Sequence, residues 1–407
     1  MLSRREFLGQ TATGLSALSL GGVMPSLFAR AGESAAKADR NDHVLVVVEL
    51  NGGNDGLNTV IPFENPLYHK YRPTLRLAKE QVVKLTDQIG LHPAMGEAGA
   101  LFKAGKLAVI QGVGYPEPDR SHFRSMEIWH TASTAKKVPY TGWLGRVLDQ
   151  QFAPGDEEQL RGLALTGTLP QALQAEKVAV PALQQIEGFA ATEGTMPAGQ
   201  KVLRKLSSGA GDKSDALGFL RRQAETVFRT SQKLRDAAAK YKSTVEYPGN
   251  LGQQLRRAAQ VINADLGVRL LYVSQGGYDT HNQQAASHQA LLGELAGALA
   301  AFQKDLEQLK FASKVVVMVF SEFGRRVDEN ASKGTDHGAA SCMFVAGSPV
   351  RGKLVATYPS LEKLGDGDLI HTVDFRSVYA TLLDKWLGCP SEKLLGEKFP
   401  LLDLLTT

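Results

Sequence analysis

The run Val44-Leu-Val-Val-Val-Glu-Leu50 constrains the fold of this chain more than any other segment. Aliphatic side chains stand at consecutive positions rather than alternate ones, so a strand built from them must be covered on both faces. Runs of the same kind occupy 107–112, 163–166, 268–274, 315–320 and 343–346, and helical periodicity fills 93–104, 122–132, 251–266, 285–309 and 372–387 between them. Strands that alternate with helices predict an α/β fold with a doubly wound, largely parallel sheet covered by helices. Ligands of such sheets bind beyond the carboxyl ends of the strands. The segments 51–55, 115–121, 279–281 and 322–337 all follow strand runs, so their loops are expected to gather on one edge.

With 407 residues, 43% of them hydrophobic, the chain can bury a large core as one domain or two ordinary ones. Its composition shifts at about 172–248, where a Gly/Ser/Lys stretch and a charged helical run replace the apolar runs. That segment reads as a helical cap inserted into a single α/β domain spanning 42–407. Lys and Arg outnumber Asp and Glu by only 46 to 42, and the excess is spread along the chain, so nucleic acid is not an expected partner. Two cysteines exclude a disulfide framework and leave one bridge open, between Cys342 and Cys389. Cys342, in the apolar run Cys-Met-Phe-Val, also reads as a small core residue.

The first residues, Met1-Leu-Ser3-Arg4-Arg5-Glu6-Phe7-Leu8, precede a mild apolar run and the small residues around Ala29 and Ala31. They resemble a twin-arginine export signal over 1–31, with a basic start, a weakly hydrophobic middle and a cleavage site. The segment is too short and polar for a stable membrane span, so a periplasmic or secreted mature chain is expected, with the twin-arginine translocase as its partner during export. Substrates of that route cross already folded, which suits a protein that acquires a metal beforehand.

Two acid-histidine clusters carry the chemistry: Gly277-Tyr-Asp279-Thr-His281 and Gly334-Thr-Asp336-His337-Gly338. Carboxylate and imidazole together hold divalent metals, and two such clusters predict a shared ion. Taken singly, Asp279 also fits a helix N-cap and His337 a buried, hydrogen-bonded imidazole. Ser121 precedes the helical pattern at 122–132, where free backbone N–H groups bind an oxyanion and a hydroxyl near a metal is activated. It is the candidate nucleophile, and equally the plain N-cap such a position favours. Arg124, on the same helical face, can grip a phosphate or sulfate oxygen in bidentate fashion. Glu322 and Arg325 can orient ligands and substrate, or form a simple ion pair. His92, His122 and His130 carry no assignment beyond core or surface.

Asn51-Gly-Gly-Asn-Asp-Gly-Leu-Asn58, Arg120-Ser-His-Phe-Arg-Ser-Met-Glu-Ile-Trp129, Gly277-Tyr-Asp-Thr-His281, Ser321-Glu-Phe-Gly-Arg325 and Gly334-Thr-Asp-His-Gly338 resemble, in that order, the DUF1501 family of exported proteins. That family is similar to the alkaline phosphatase and sulfatase superfamily. The resemblance implies an alkaline phosphatase-like core, one or two divalent ions (Zn, Mg, Mn or Ca), and hydrolysis of a phosphate or sulfate ester of a small molecule or glycan. It implies Asp336 with His337 as one ligand pair and Asp279 with His281 as the other. The superfamily's first strand commonly ends in Asp-Gly; Asn51-Gly52 stands here, so Asp55 replaces that ligand or the second ion is lost. His371 stands where a third histidine is expected. Sulfatases that convert Cys or Ser to an aldehyde need Pro and Arg where this chain has Phe123 and Ser125, which disfavours that subclass. The rival expectation is a non-catalytic exported protein that binds a ligand with the same loop edge.

Overall fold

The computed structural model describes residues 42–136, 138–151, 160–183, 236 and 239–406. The export signal read at 1–31 and the greater part of the cap read at 172–248 lie outside the described residues. One eight-stranded sheet organises the rest. Its strands are β1 (Val44–Leu50), β2 (Leu107–Gly114), β3 (Gly162–Ala164), β4 (Leu270–Gln275), β5 (Val315–Phe320), β6 (Ser341–Ala346), β7 (Leu354–Val355) and β8 (Val373–Asp374). Their order is β7-β2-β6-β5-β1-β4-β3, with β8 also paired to β2. β1 is central: Val47 stands opposite Tyr272 of β4 on one side and Met318 of β5 on the other, both in parallel.

Every residue of β1 is buried, Glu49 included, as its nearly continuous apolar run demands. Val44, Val46, Val48 and Leu50 face a core shared with α1 (Gly96–Lys103), α4 (Gly249–Asn263) and α5 (Gln284–Gln308). Leu45 and Val47 face a second core shared with α2 (His122–Thr131), α3 (Trp143–Gln151) and α6 (Phe375–Thr381). Each such aliphatic side chain contributes roughly 1.5–3 kcal/mol by leaving water. The architecture is therefore doubly wound α/β, with helices on both faces of a largely parallel sheet.

β6 is the exception, antiparallel to both β5 and β2. No helix carries the chain back across the sheet between β5 and β6, so β6 starts at the edge where β5 ends. Cys342 and Cys389 are unbridged and buried in different cores. Among the described residues, no helix is long and apolar enough to cross a membrane.

Candidate metal centre

Three loops meet beyond the carboxyl ends of β1, β4 and β5, and their closeness depends on glycine. Gly52 has φ +120°, and a Cβ there would stand 2.4 Å from the Asp279 amide nitrogen. A Cβ on Gly334 would stand 2.2 Å from the His281 carbonyl carbon. These contacts press the loop after β1 and the loop after β5 against Asp279 and His281, the two ligand candidates that follow β4.

The Asp279 Oδ1 atom is the centre of the arrangement. It lies 3.0 Å from His281 Nε2, 3.1 Å from His337 Nε2 and 3.5 Å from His122 Nε2. His281 Nε2 and His337 Nε2 are themselves 3.0 Å apart. The ligand atoms of His122, Asp279 and His337 all fall within 4.8 Å of one another.

What faces each Nδ1 fixes the state of each Nε2. His337 Nδ1 lies 2.8 Å from the Arg120 carbonyl oxygen, which can only accept, so Nδ1 carries the proton. His281 Nδ1 lies 3.0 Å from Asp336 Oδ1, and His122 Nδ1 lies 2.8 Å from Glu322 Oε1. With each Nδ1–H donated outward, each Nε2 faces inward, and an imidazole that carries no second proton offers its lone pair there. Two such lone pairs at 3.0 Å repel unless a proton or a metal ion is shared between them. His122 Nε2 is buried and has no hydrogen-bond partner. Ligand atoms of a tetrahedral ion with bonds of about 2.0 Å lie about 3.3 Å apart, which matches the spacings around Asp279. The residues present therefore fit a divalent ion held by His122, Asp279 and His337, with His281 Nε2 beside Asp279 and His337.

The electrostatics agree with a cation site. Burial raises the Asp279 carboxyl, but the Arg325 guanidinium at 2.7 Å together with His337 and His281 brings it down to about 2. The His281 hydrogen bond holds Asp336 below the usual carboxylate range. Glu322 lifts His122 above the usual imidazole range against the opposing effect of burial. A carboxylate behind an imidazole strengthens it as a ligand in the same way.

Several sequence-predicted residues stand elsewhere. Asp336 meets His281 Nδ1 and Asn330 through its side chain, so it stands behind His281 and outside the cluster. Asp55 is fully buried against Arg72 at 2.5 Å and against Gln284; a carboxylate so paired has no lone pair left for the cluster. His371 lies beside Gly114, outside the cluster. Arg124 is drawn along its own helix to Glu127 and the carbonyls of Thr134 and Ala135, away from the ligand edge. Asn51 hydrogen-bonds Glu49. Ser121 is exposed at the start of α2, and its side chain makes no cap hydrogen bond. His122, the residue after it, was missed because a histidine inside a helical pattern reads as an ordinary surface position. The signal that finds it is Glu322, which follows β5 and takes the His122 proton from 200 positions away.

A family model described as "Protein of unknown function (DUF1501)" matches residues 42–398. The chain belongs to the DUF1501 family. This DUF1501 protein is similar to the PsFucS1 sulfatase from Pseudoalteromonas sp., at 12% identity over 90% of this chain and 70% of that one, with a TM-score of 0.35. It is similar to the C-terminal periplasmic domain of EcEptC from Escherichia coli, at 10% identity over 85% and 82%, with a TM-score of 0.36. It is also similar to the phosphonate monoester hydrolase SpPMH from Silicibacter pomeroyi, at 11% identity over 88% and 77%, with a TM-score of 0.32. No curated protein matches the chain.

Proposed function

We propose that this DUF1501 protein is an exported, metal-dependent hydrolase of phosphate or sulfate esters. The observation that carries the reading is the set of three imidazoles, each with Nδ1 anchored and Nε2 turned toward Asp279 Oδ1. Nothing in the packing of the core requires three Nε2 atoms around one carboxylate oxygen, whereas ion binding does. A divalent ion held there supplies Lewis acidity and lowers the pKa of an adjacent hydroxyl.

Ser121 is the residue proposed to attack. Its hydroxyl is exposed one position before His122, and the first-turn amides of α2 have no side-chain cap, which leaves donors for an ester oxygen. Asp119 Oδ1 accepts from the Ser121 amide at 2.8 Å and so fixes the backbone that carries the hydroxyl. The Phe323 ring, 4.9 Å from His122 and 4.8 Å from His337, walls one side of the cluster and limits water there.

The engagement of Arg124 favours a second reading, a metal-bearing binding protein without turnover, because the arginine expected to grip an oxyanion is tied to its own helix. One assay separates the two. Metal-loaded protein is given aryl phosphates, aryl phosphodiesters and aryl sulfates, and wild type is compared with Ser121→Ala. The hydrolase reading expects turnover of at least one class, lost in Ser121→Ala with metal content unchanged. Stoichiometric metal with no hydrolysis of any class establishes the binding protein instead.

A further inference from the structure

We propose that this site takes one divalent ion, and that the Arg325 guanidinium fills the place where a second would bind. The inference rests on the metal-centre reading above and concerns what stands beside the imidazoles. Arg325 is 2% exposed overall and its side chain is fully buried. Its Nε donates to the Gly53 carbonyl at 2.7 Å and its Nη1 to the Thr335 carbonyl at 2.8 Å. Its Nη2 donates to the carbonyls of Gly52 and Tyr278 and, at 2.7 Å, to Asp279 Oδ1. Three of these oxygens, the Gly52 and Tyr278 carbonyls and Asp279 Oδ1, thus converge on the Nη2 position beside the histidines.

That donor set is of the kind a hard divalent cation takes: oxygen atoms only, two of them carbonyls, with a shared carboxylate. The fold has filled it with a side chain that is always charged. Asp279 Oδ1 is the bridge, facing Arg325 on one side and the three imidazole Nε2 atoms on the other. An ion added on the Arg325 side would have to displace a guanidinium hydrogen-bonded to five acceptors and would leave it buried without partners. Arg325 also aims Asp279 at the imidazoles, so it is a positioning residue for the ion that does bind.

Metal-free wild-type protein titrated with Mn2+ and followed by electron paramagnetic resonance tests this without any turnover. The expected result is saturation at one equivalent, with an uncoupled six-line signal at every loading. Saturation at two equivalents with a spin-coupled signal overturns the inference and leaves the proposed hydrolase standing. Failure to bind Mn2+, Zn2+ or Co2+ at all removes the metal-centre reading and the inference with it. Arg325→Gln, which opens the oxygen-lined place while preserving some donors, is expected to admit a second equivalent, coupled to the first. If that variant folds and still takes one, the guanidinium is not what limits the count. The wild-type titration decides the stoichiometry whether or not the variant folds.

Discussion

Each of the three imidazoles owes its orientation to a partner that takes the Nδ1 proton: Glu322 for His122, Asp336 for His281 and the Arg120 carbonyl for His337. Glu322 is 1% exposed and also accepts from the Gly52 amide at 2.9 Å, so it ties the loop after β1 to His122 on α2. Replacement Glu322→Gln removes the charge behind His122 and allows the amide to donate in the wrong direction. Metal affinity is expected to fall by roughly 10–100-fold, the usual cost of losing such a partner, and His122→Ala is expected to lose more. Competition against a calibrated chelator measures both, and an Glu322→Gln protein with wild-type affinity would show that His122 is no ligand. At this scale the sequence was only partly legible. Asp279, His281 and His337 stand in short local motifs, while the pairing of His122 with Glu322 exists only once α2 and the end of β5 are packed.

At the scale of elements, the strand runs 44–50 and 315–320 were legible because residues buried on both faces cannot hide their pattern. The direction of β6 was not legible, because it depends on how the loop 321–340 returns rather than on the strand's own residues. Asp55 shows the same division. As an acid in a turn after β1 it reads as a ligand, yet Arg72 meets it from 17 positions away in a pair with no exposure on either side. Arg72 also donates to the carbonyls of Val327 and Arg326, and Gln284 reaches Asp55 from the start of α5. One buried ion pair therefore clamps the loops after β1 and β5 to α5. Asp55→Asn leaves Arg72 buried without a counter-charge and is expected to cost about 3–5 kcal/mol, read as a shift in urea midpoint. A loss below about 1 kcal/mol would mean that the backbone carbonyls alone satisfy Arg72.

For the whole molecule, the N-terminal motif and the buried titrating groups each predict a behaviour. Replacing Arg4 and Arg5 together by Lys is expected to leave the precursor in the cytoplasm, and unchanged periplasmic recovery would contradict the export reading. The folded domain carries two histidines that burial keeps neutral: His288 and His92 are both brought down to about 4. An unfolded histidine titrates near about 6.5, so between that pH and about 4 the unfolded chain binds the protons these two sites refuse. Stability is therefore present above about pH 6.5 and is lost as pH falls, by up to about 1.4 kcal/mol per pH unit for each site. His122 acts in the opposite sense, since Glu322 raises it and its stabilising share is gained as pH falls. Below about pH 4 the Asp55 carboxylate adds a further loss: burial raises it, Arg72 brings it down to about 2, and its contribution vanishes as pH drops toward that value. Urea midpoints of metal-free protein from pH 7.5 to 4 isolate the share of His288 when wild type is compared with His288→Gln. The variant is expected to show a shallower decline than wild type across pH 6.5 to 4, because one refused proton is gone. Parallel curves would mean that His288 is protonated in the folded state, and the hydrogen bond at 3.0 Å between His288 Nε2 and Asn54 Oδ1 would then join a cation to the clamp around Asp55.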